Sequence, residues 1–309
     1  VVELNVEAAL VLVLALLLDR ALGEPSNSYH PVAYLGRGVS VIVARLRDHV
    51  LSGAALYILV VVPFTAAVYY LASFQGAAGI AAAGVLLKLQ FSWRGLGDHT
   101  WPVVHHLSRG EVVRAREAVS RIVGRDTSSL GERQITSAAV ESIGDSTVDG
   151  IISPIFYYAV FTLLLGVPEG VAAAAFYRAT NTLDSMVGYR RDGLRRLGFF
   201  SARMDDVLNY LPARVCGGLL IVAAVLRREA WKNSAGVYLR DRDKTPSPNA
   251  GHPISAVAGA LGVRLEKRGV YSIGEEREDL GAEHILRALA LSNLSVVLFT
   301  GMVLVALWL

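Results

Sequence analysis

VLSGAALYILVVVPFTAAVYYLASFQGAAGIAAAGVLL, residues 50–87, is a run of 38 residues without a charged side chain. As one helix it would be about 57 Å long at 1.5 Å per residue, nearly twice the roughly 30 Å hydrocarbon thickness of a bilayer. It has to fold back on itself, and Ser73, Gln75 and Gly76 are the turn-forming residues near its middle. The run reads as two spans, near 53–73 and 77–92. Outward from it, 150–168 and 288–309 are also uncharged, 19 and 22 residues long, and sufficient to cross. Segment 6–22 carries Glu7, Asp19 and Arg20 near its ends. It lacks the basic start and small-residue cleavage site of a signal peptide and reads as a first span. Segment 207–226 is apolar but interrupted by Pro212, Arg214 and Gly217–Gly218, which points to a broken or re-entrant helix lining a cavity. Segment 171–187 carries Arg178 and Asp184 in an Ala-rich helix, where ionisable groups are costly unless paired or wet.

Composition agrees. Of the 309 residues, 53% are hydrophobic and only 18% charged, against about 25% charged in soluble domains; the mean hydropathy is +0.44. A disordered chain, a basic nucleic-acid-binding domain and an ordinary cytosolic globule are excluded. One cysteine, Cys216, excludes an intrachain disulfide framework and Cys-rich metal sites. The net charge is +3. The 30 cations comprise four lysines and 26 arginines, a bias that suits bidentate grip on carboxylates and phosphates as well as a general preference for Arg. The expected fold is an all-α polytopic integral membrane protein, one membrane domain over 1–309. It would have about five to eight transmembrane or re-entrant helices, plus amphipathic helices and polar loops.

Basic residues mark the cytoplasmic side. Segment 94–149 has seven arginines, 188–206 has five, and 227–287 has eight arginines and three lysines. All three are expected on the cytoplasmic face of the cell membrane, a shared placement that needs 207–226 to re-enter or a neighbour not to cross. Within them, 111–123 alternates at helical spacing, and Ser129-x-x-Glu132 reads as a capping box opening a helix to about Asp149. Residues 241–253 read as a loop, 254–261 as a short helix and 269–274 as an extended turn. There is no internal repeat.

Glu141, Asp145 and Asp149 recur every four residues and so line one helix face. A cation would relieve their repulsion, and carboxylate oxygens favour Mg²⁺; the alternative is a solvated acidic face balanced by Arg121, Arg125 and Arg133. Asp205 and Asp206 stand before 207–226, between Arg203 and Asn209, as metal–phosphate ligands or as a helix cap. Asn181 and Asp184 lie beside Arg178, so Asp184 is either functional or half of a buried pair with that arginine. Ser247-Pro248-Asn249-Ala250-Gly251-His252-Pro253 puts small residues just before a helix start, where backbone N–H groups favour anions. No Walker motif occurs, and the seven histidines form no HExxH.

Several stretches occur together in order: Gly23-Glu24-Pro25 with His30-Pro31-Val32; Gly124-Arg125-Asp126-Thr127; Glu141-Ser142 with Asp149-Gly150; Tyr177-Arg178-Ala179; Asn181-Thr182-Leu183-Asp184-Ser185-Met186-Val187-Gly188-Tyr189; Ser201-Ala202-Arg203 with Asp205-Asp206; Pro212-Ala213-Arg214; and 247–251. From about residue 18 to 262 the sequence resembles the adenosylcobinamide-phosphate synthase family of cobalamin biosynthesis. It departs from the family pattern at Gly144-Asp145-Ser146, where Ala-Glu-Asn is usual.

The resemblance implies an ATP-dependent ligase with Mg²⁺. It would join a propionate of the corrinoid adenosylcobyric acid to the amine of aminopropanol phosphate. On that reading Asp184, Asp205, Asp206 and His252 serve catalysis. His30, Arg125, Arg178, Asn181, Arg203, Asn209, Arg214 and Asn249 hold substrate and phosphate, and Glu141, Asp145 and Asp149 hold metal. The partners implied are the two substrates and the lipid bilayer, with a homo-oligomer compatible and no nucleic acid. Two rival classes are a membrane transferase of phospho-alcohol or prenyl groups and a transporter. The first lacks its characteristic aspartate spacing, and the second has no internal repeat behind it.

Overall fold

The computed structural model describes residues 2–25, 28, 30–188 and 194–309. In chain order the helices are α1 (Val2–Leu22), α2 (Pro31–Val43), α3 (Val50–Ala72), α4 (Gly76–Lys88), α5 (Trp93–Leu107), α6 (Val112–Ser120) and α7 (Glu132–Thr147). Then come α8 (Ser153–Leu164), α9 (Val167–Leu183), α10 (Phe199–Leu208), α11 (Tyr210–Leu226), α12 (Trp231–Asp241), α13 (Gly251–Leu261) and α14 (Ala282–Trp308). Two π-helical turns, Val148–Ile152 and Asp184–Gly188, follow α7 and α9. A short antiparallel hairpin, β1 (Arg264–Lys267) and β2 (Tyr271–Gly274), pairs Leu265 with Ile273.

The uncharged run folds back where its turn residues stand: α3 ends at Ala72 and α4 begins at Gly76, whose φ of +71° suits glycine. Among the described residues four helices are long and apolar enough to cross a membrane: Val50–Ala72, Gly76–Leu107, Glu132–Leu164 and Ala282–Trp308. The pair Phe199–Leu208 and Tyr210–Leu226, broken at Asn209, makes a fifth if counted as one span. The chain is thus a mostly helical, multi-pass membrane protein.

Several boundaries differ from the sequence reading. The span expected at 150–168 starts at Glu132, because the π-turn joins α7 to α8 instead of ending the helix. Segment 76–107 likewise continues beyond the expected 92. The helix over 6–22 forms, but its charged ends keep it from passing as an apolar span. The capping box is displaced: α7 is preceded by Gly131, whose N–H donates to Gln134 Oε1 at 2.9 Å. The extended turn at 269–274 is the bend and second strand of a hairpin with four-residue strands in an otherwise helical chain.

The chain divides into two compact units. The first comprises Val1–Arg94, Ser153–Asn209 and Gly301–Leu309. In it α9 packs on α3 and α8, burying Val39, Leu56, Tyr57, Val61, Ala179, Leu183 and Val187 together. The second comprises Gly95–Ile152 and Tyr210–Thr300. Its centre is α13, every residue of which is buried, packed on α7, α11 and α12. A hydrophobic helix of this kind is an interior element, and what it carries at its N-terminus is accordingly held in place.

Candidate functional site

In the first unit, polar side chains of α9 and α10 meet. Asp205 accepts from Asn181 Nδ2 at 3.1 Å through one oxygen and from Asn209 Nδ2 at 3.0 Å through the other. Asn209, buried, accepts in turn from Ser153 Oγ at 2.7 Å and the Tyr177 hydroxyl at 2.8 Å. Asn209 thus holds three side chains, and the Tyr177 ring stacks on Tyr157 at 5.6 Å. Asp184, at the start of its π-turn, lies within the electrostatic reach of Asp205 and Asp206. Its Oδ1 is buried and, among the described residues, has no hydrogen-bond partner; the same is true of Arg178 Nε. Arg178 and Asp184 form no ion pair; six residues apart on a helix, they point to different faces. His30 caps α2 by accepting from Val32 N at 3.2 Å. Burial lowers its pKa, with help from the charges of Arg178 and Lys88 and against that of Glu24. Arg203 is exposed and lies 3.6 Å from Asp206.

In the second unit, Glu141 is fully engaged. It accepts from Ser137 Oγ at 2.7 Å, the Tyr271 hydroxyl at 2.6 Å and Arg125 Nη2 at 3.3 Å. Ser137 Oγ also accepts from Glu266 N at 2.8 Å, so α7 and the hairpin are stitched at two points. Burial and then the Glu141 charge raise the Tyr271 pKa. Among the described residues no group of three His, Cys, Asp or Glu side chains could hold a metal ion. The column of Glu141, Asp145 and Asp149 is therefore not a preformed cage. Glu141 faces Arg125 and Tyr271, and Asp149 falls in the π-turn, where the four-residue repeat no longer keeps side chains in line.

The start of α13 gathers the remaining candidates. Arg214 donates to Asn249 Oδ1 at 3.3 Å and to Tyr210 O at 2.6 Å, and its guanidinium lies 3.4 Å from the Tyr210 ring centre. His252 is 2% exposed, its Nδ1 2.9 Å from the Tyr238 hydroxyl, and its Nε2 is buried without a partner. Burial, reinforced by Arg214 and Arg242 and opposed by Asp243, pushes its pKa down to about 4. Two glycines permit this crowding. A Cβ at Gly217 would lie 2.5 Å from the Tyr238 ring, and one at Gly251 would lie 1.9 Å from Arg242 O. Nearby, buried Asp241 binds Arg240, Lys244 and Gly274 N; these bonds outweigh burial and hold its carboxyl well below the usual range.

The family described as CobD/CbiB protein matches residues 12–292. The chain belongs to the CobD/CbiB family. A probable cobalamin biosynthesis protein CobD of Methanothermobacter thermautotrophicus is 41% identical over 290 residues, covering 94% of this chain and 95% of that one. Cobalamin biosynthesis protein CobD of Pelobacter propionicus is 40% identical, covering 84% and 81%, and that of Klebsiella pneumoniae 38% identical, covering 93% and 95%. No solved structure matches. Membership in the CobD/CbiB family makes this a protein of cobalamin biosynthesis.

Of the residues that the sequence singled out, the first unit holds His30, Arg178, Asn181, Asp184, Arg203, Asp205, Asp206 and Asn209. The second holds Arg125, Glu141, Asp145, Asp149, Arg214, Asn249 and His252. Tyr189, and Arg190 and Arg191 of the basic 188–206 segment, lie outside the described residues. The family's Ala at 144 would be accommodated, since a Cβ on Gly144 meets Pro253 and Ile254 at ordinary contact distance, 3.5 Å. Sequence reasoning missed Ser137, Ser153, Tyr238 and Tyr271, and gave Tyr177, though part of a quoted stretch, no role of its own. Each acts through a hydrogen bond to a candidate residue, and none belongs to a chemically specific spacing.

Proposed function

We propose that this CobD/CbiB protein makes an amide bond at the expense of ATP. It would join adenosylcobyric acid to aminopropanol phosphate and yield adenosylcobinamide phosphate. The observation that carries the reading is the α9–α10 cluster. There a buried carboxylate oxygen of Asp184 and a buried guanidinium nitrogen of Arg178 lack protein partners. Buried polar groups in that state are costly unless something binds them.

A carboxylate is a poor acceptor of an amine until one oxygen becomes a leaving group. A propionate oxygen attacks the γ-phosphorus of ATP and ADP departs; the amine nitrogen then attacks the acyl carbon, phosphate departs, and one proton leaves nitrogen. Phosphoryl transfer asks mainly for positioning and positive charge. Arg178 supplies charge to carboxylate or phosphate oxygens. Asp184, unengaged by the protein at Oδ1, accepts the amine proton. Asn181 and Asn209 fix Asp205 while leaving each of its oxygens a further lone pair. Asp205 and Asp206 would hold Mg²⁺ arriving with ATP, which neutralises phosphate charge; Mg²⁺ usually takes one or two carboxylates plus substrate phosphates, so no three-ligand cage is required. We place this chemistry on the cytoplasmic face, where the Arg-rich segments are expected.

The test is purified full-length protein in detergent or nanodiscs with adenosylcobyric acid, aminopropanol phosphate and Mg·ATP, followed by mass analysis of the corrinoid. The expected product is the condensed amide, with ADP and phosphate formed in equal amounts. ATP-dependent turnover without an amide product, or no turnover by well-folded protein, overturns the proposal.

A further inference from the structure

In the first unit, α2 can neither cross the membrane nor bury itself. Its 13 apolar residues make a helix about 20 Å long, short of the roughly 30 Å hydrocarbon layer, and only Val39 is buried. It packs beside α3, a span whose surface is mostly left to the bilayer. Between the two lies an open apolar groove. Its α2 wall carries Tyr34, Leu35, Gly38 and Ile42, positions that recur on one helix face, and its α3 wall carries Val60 and Phe64. The Tyr34 ring is fixed in that wall. Its hydroxyl donates to Ser28 O at 2.7 Å, and the Arg37 guanidinium lies 4.1 Å from its centre. Gly38 sets the width of the groove, since a Cβ there would meet nothing within 4 Å.

The two ends of the groove differ in polarity. Val60 and Phe64 lie about 15 and 21 Å along α3 from its first residue, Val50, which is hydrocarbon depth. At its other end α2 leads into Arg45 and Arg47, which precede the span, are exposed and, among the described residues, form no ion pair. The neighbouring acid, Asp48, is engaged by Arg196 N and Leu197 N at 2.8 Å, and so brings exposed Arg195 and Arg196 to the same end. From this polarity we infer that the α2–α3 groove binds one anionic phospholipid, with an acyl chain between Gly38 and Phe64 and the phosphate at Arg45 and Arg47. Close packing against fixed side chains holds the chain, because lipid surroundings supply no hydrophobic drive. The arginines hold the headgroup through charge and their planar fork of donors. A second copy of this chain would fill the groove and leave the arginines unanswered; a phospholipid serves both. The site is independent of the amide reaction.

The test is native mass spectrometry of delipidated full-length protein in neutral detergent, titrated with phosphatidylglycerol or with phosphatidylcholine of the same chains. Wild type is expected to take up one phosphatidylglycerol saturably, about tenfold more tightly than phosphatidylcholine, the worth of one or two arginines near an anionic head. Gly38→Leu projects a side chain into the groove and is expected to weaken uptake of both lipids about fivefold or more, while Gly38→Ala binds like wild type. Replacing both exposed arginines, Arg45→Gln with Arg47→Gln, leaves the fold alone. It is expected to bring phosphatidylglycerol down to the level of phosphatidylcholine, whose uptake stays unchanged. Equal uptake of the two lipids by wild type, or uptake that folded Gly38→Leu leaves unchanged, means a general lipid coat and overturns the site. A phosphatidylglycerol preference that survives loss of both arginines overturns it as well. So does a dimer that Gly38→Leu dissolves and phosphatidylglycerol does not alter, which gives the groove to a second copy of the chain.

Discussion

Glu141 and Asp184 are both carboxylates on helices, both anticipated as functional, and their surroundings differ sharply. Glu141 accepts from a serine, a tyrosine and an arginine drawn from three segments of the second unit. Among the described residues Asp184 keeps one buried oxygen without a hydrogen-bond donor, and Asp205 and Asp206 are two further carboxylates whose charges reach it. In the first arrangement both carboxylate oxygens have protein donors. In the second, among the described residues, one has none. A buried acid with all its partners is part of the architecture, whereas one lacking them is provision for something that arrives.

The comparison can be broken by exchange. Glu141→Ala should be the most damaging change to stability, about 3–5 kcal/mol, because it strands Arg125, Ser137 and Tyr271 in a buried setting. A denaturation midpoint within a few tenths of a kcal/mol of wild type would show that the three donors find other partners. Asp184→Asn should leave the melting temperature unchanged or raised and reduce amide formation about 100-fold or more, the range for a lost general base. A folded Asp184→Asn protein with wild-type turnover would remove it from the chemistry. Tyr271→Phe deletes one bond to a charged acceptor and should cost about 1.5–3 kcal/mol, with turnover per folded molecule unchanged.

The gentlest probe is pH. His252 faces Tyr238, Arg214, Arg242 and Asp243, and its folded pKa lies near 4, below the unfolded value of 6.5. The unfolded chain therefore binds more protons than the native one between these values. Stability contributed by the neutral ring is present above pH 6.5 and lost as pH falls toward 4. His252→Gln should flatten that part of the stability profile; an unchanged slope would assign it to other groups.

How legible each of these features was depends on the distance over which it is made. The return of the chain after Ala72 follows from a charge gap and three turn residues that are neighbours in sequence. The role of Glu141 does not, because Tyr271 is 130 residues away and only folding brings it near. The same holds for Asn209, whose partner Ser153 is 56 residues distant. The continuation of α7 into α8 was hidden for another reason. A π-turn accommodates an extra residue per turn without any distinctive composition, so Asp149-Gly150 looked like a helix end. Arg178 and Asp184 were close in sequence yet six residues apart, a separation that a helix turns into divergence. The candidate residues of α9 and α10 stand in two separate stretches of the sequence, and the bond that joins them, Asn181 to Asp205, spans 24 residues.

One feature of the first unit bears on how the protein is made. The C-terminal end of α1 is completed by residues much later in the chain. Asp19, fully buried, lies 3.3 Å from Lys88 and accepts from Arg94 N, 75 residues on, at 2.8 Å. The Arg94 guanidinium donates to Arg20 O and Ala21 O. Lys88 and Arg94 are made well after α1. Until they are, the Asp19 carboxylate and the last carbonyls of α1 need water or a proton in their place. The last turn of α1 is thus finished by residues that the chain supplies about 70 positions later.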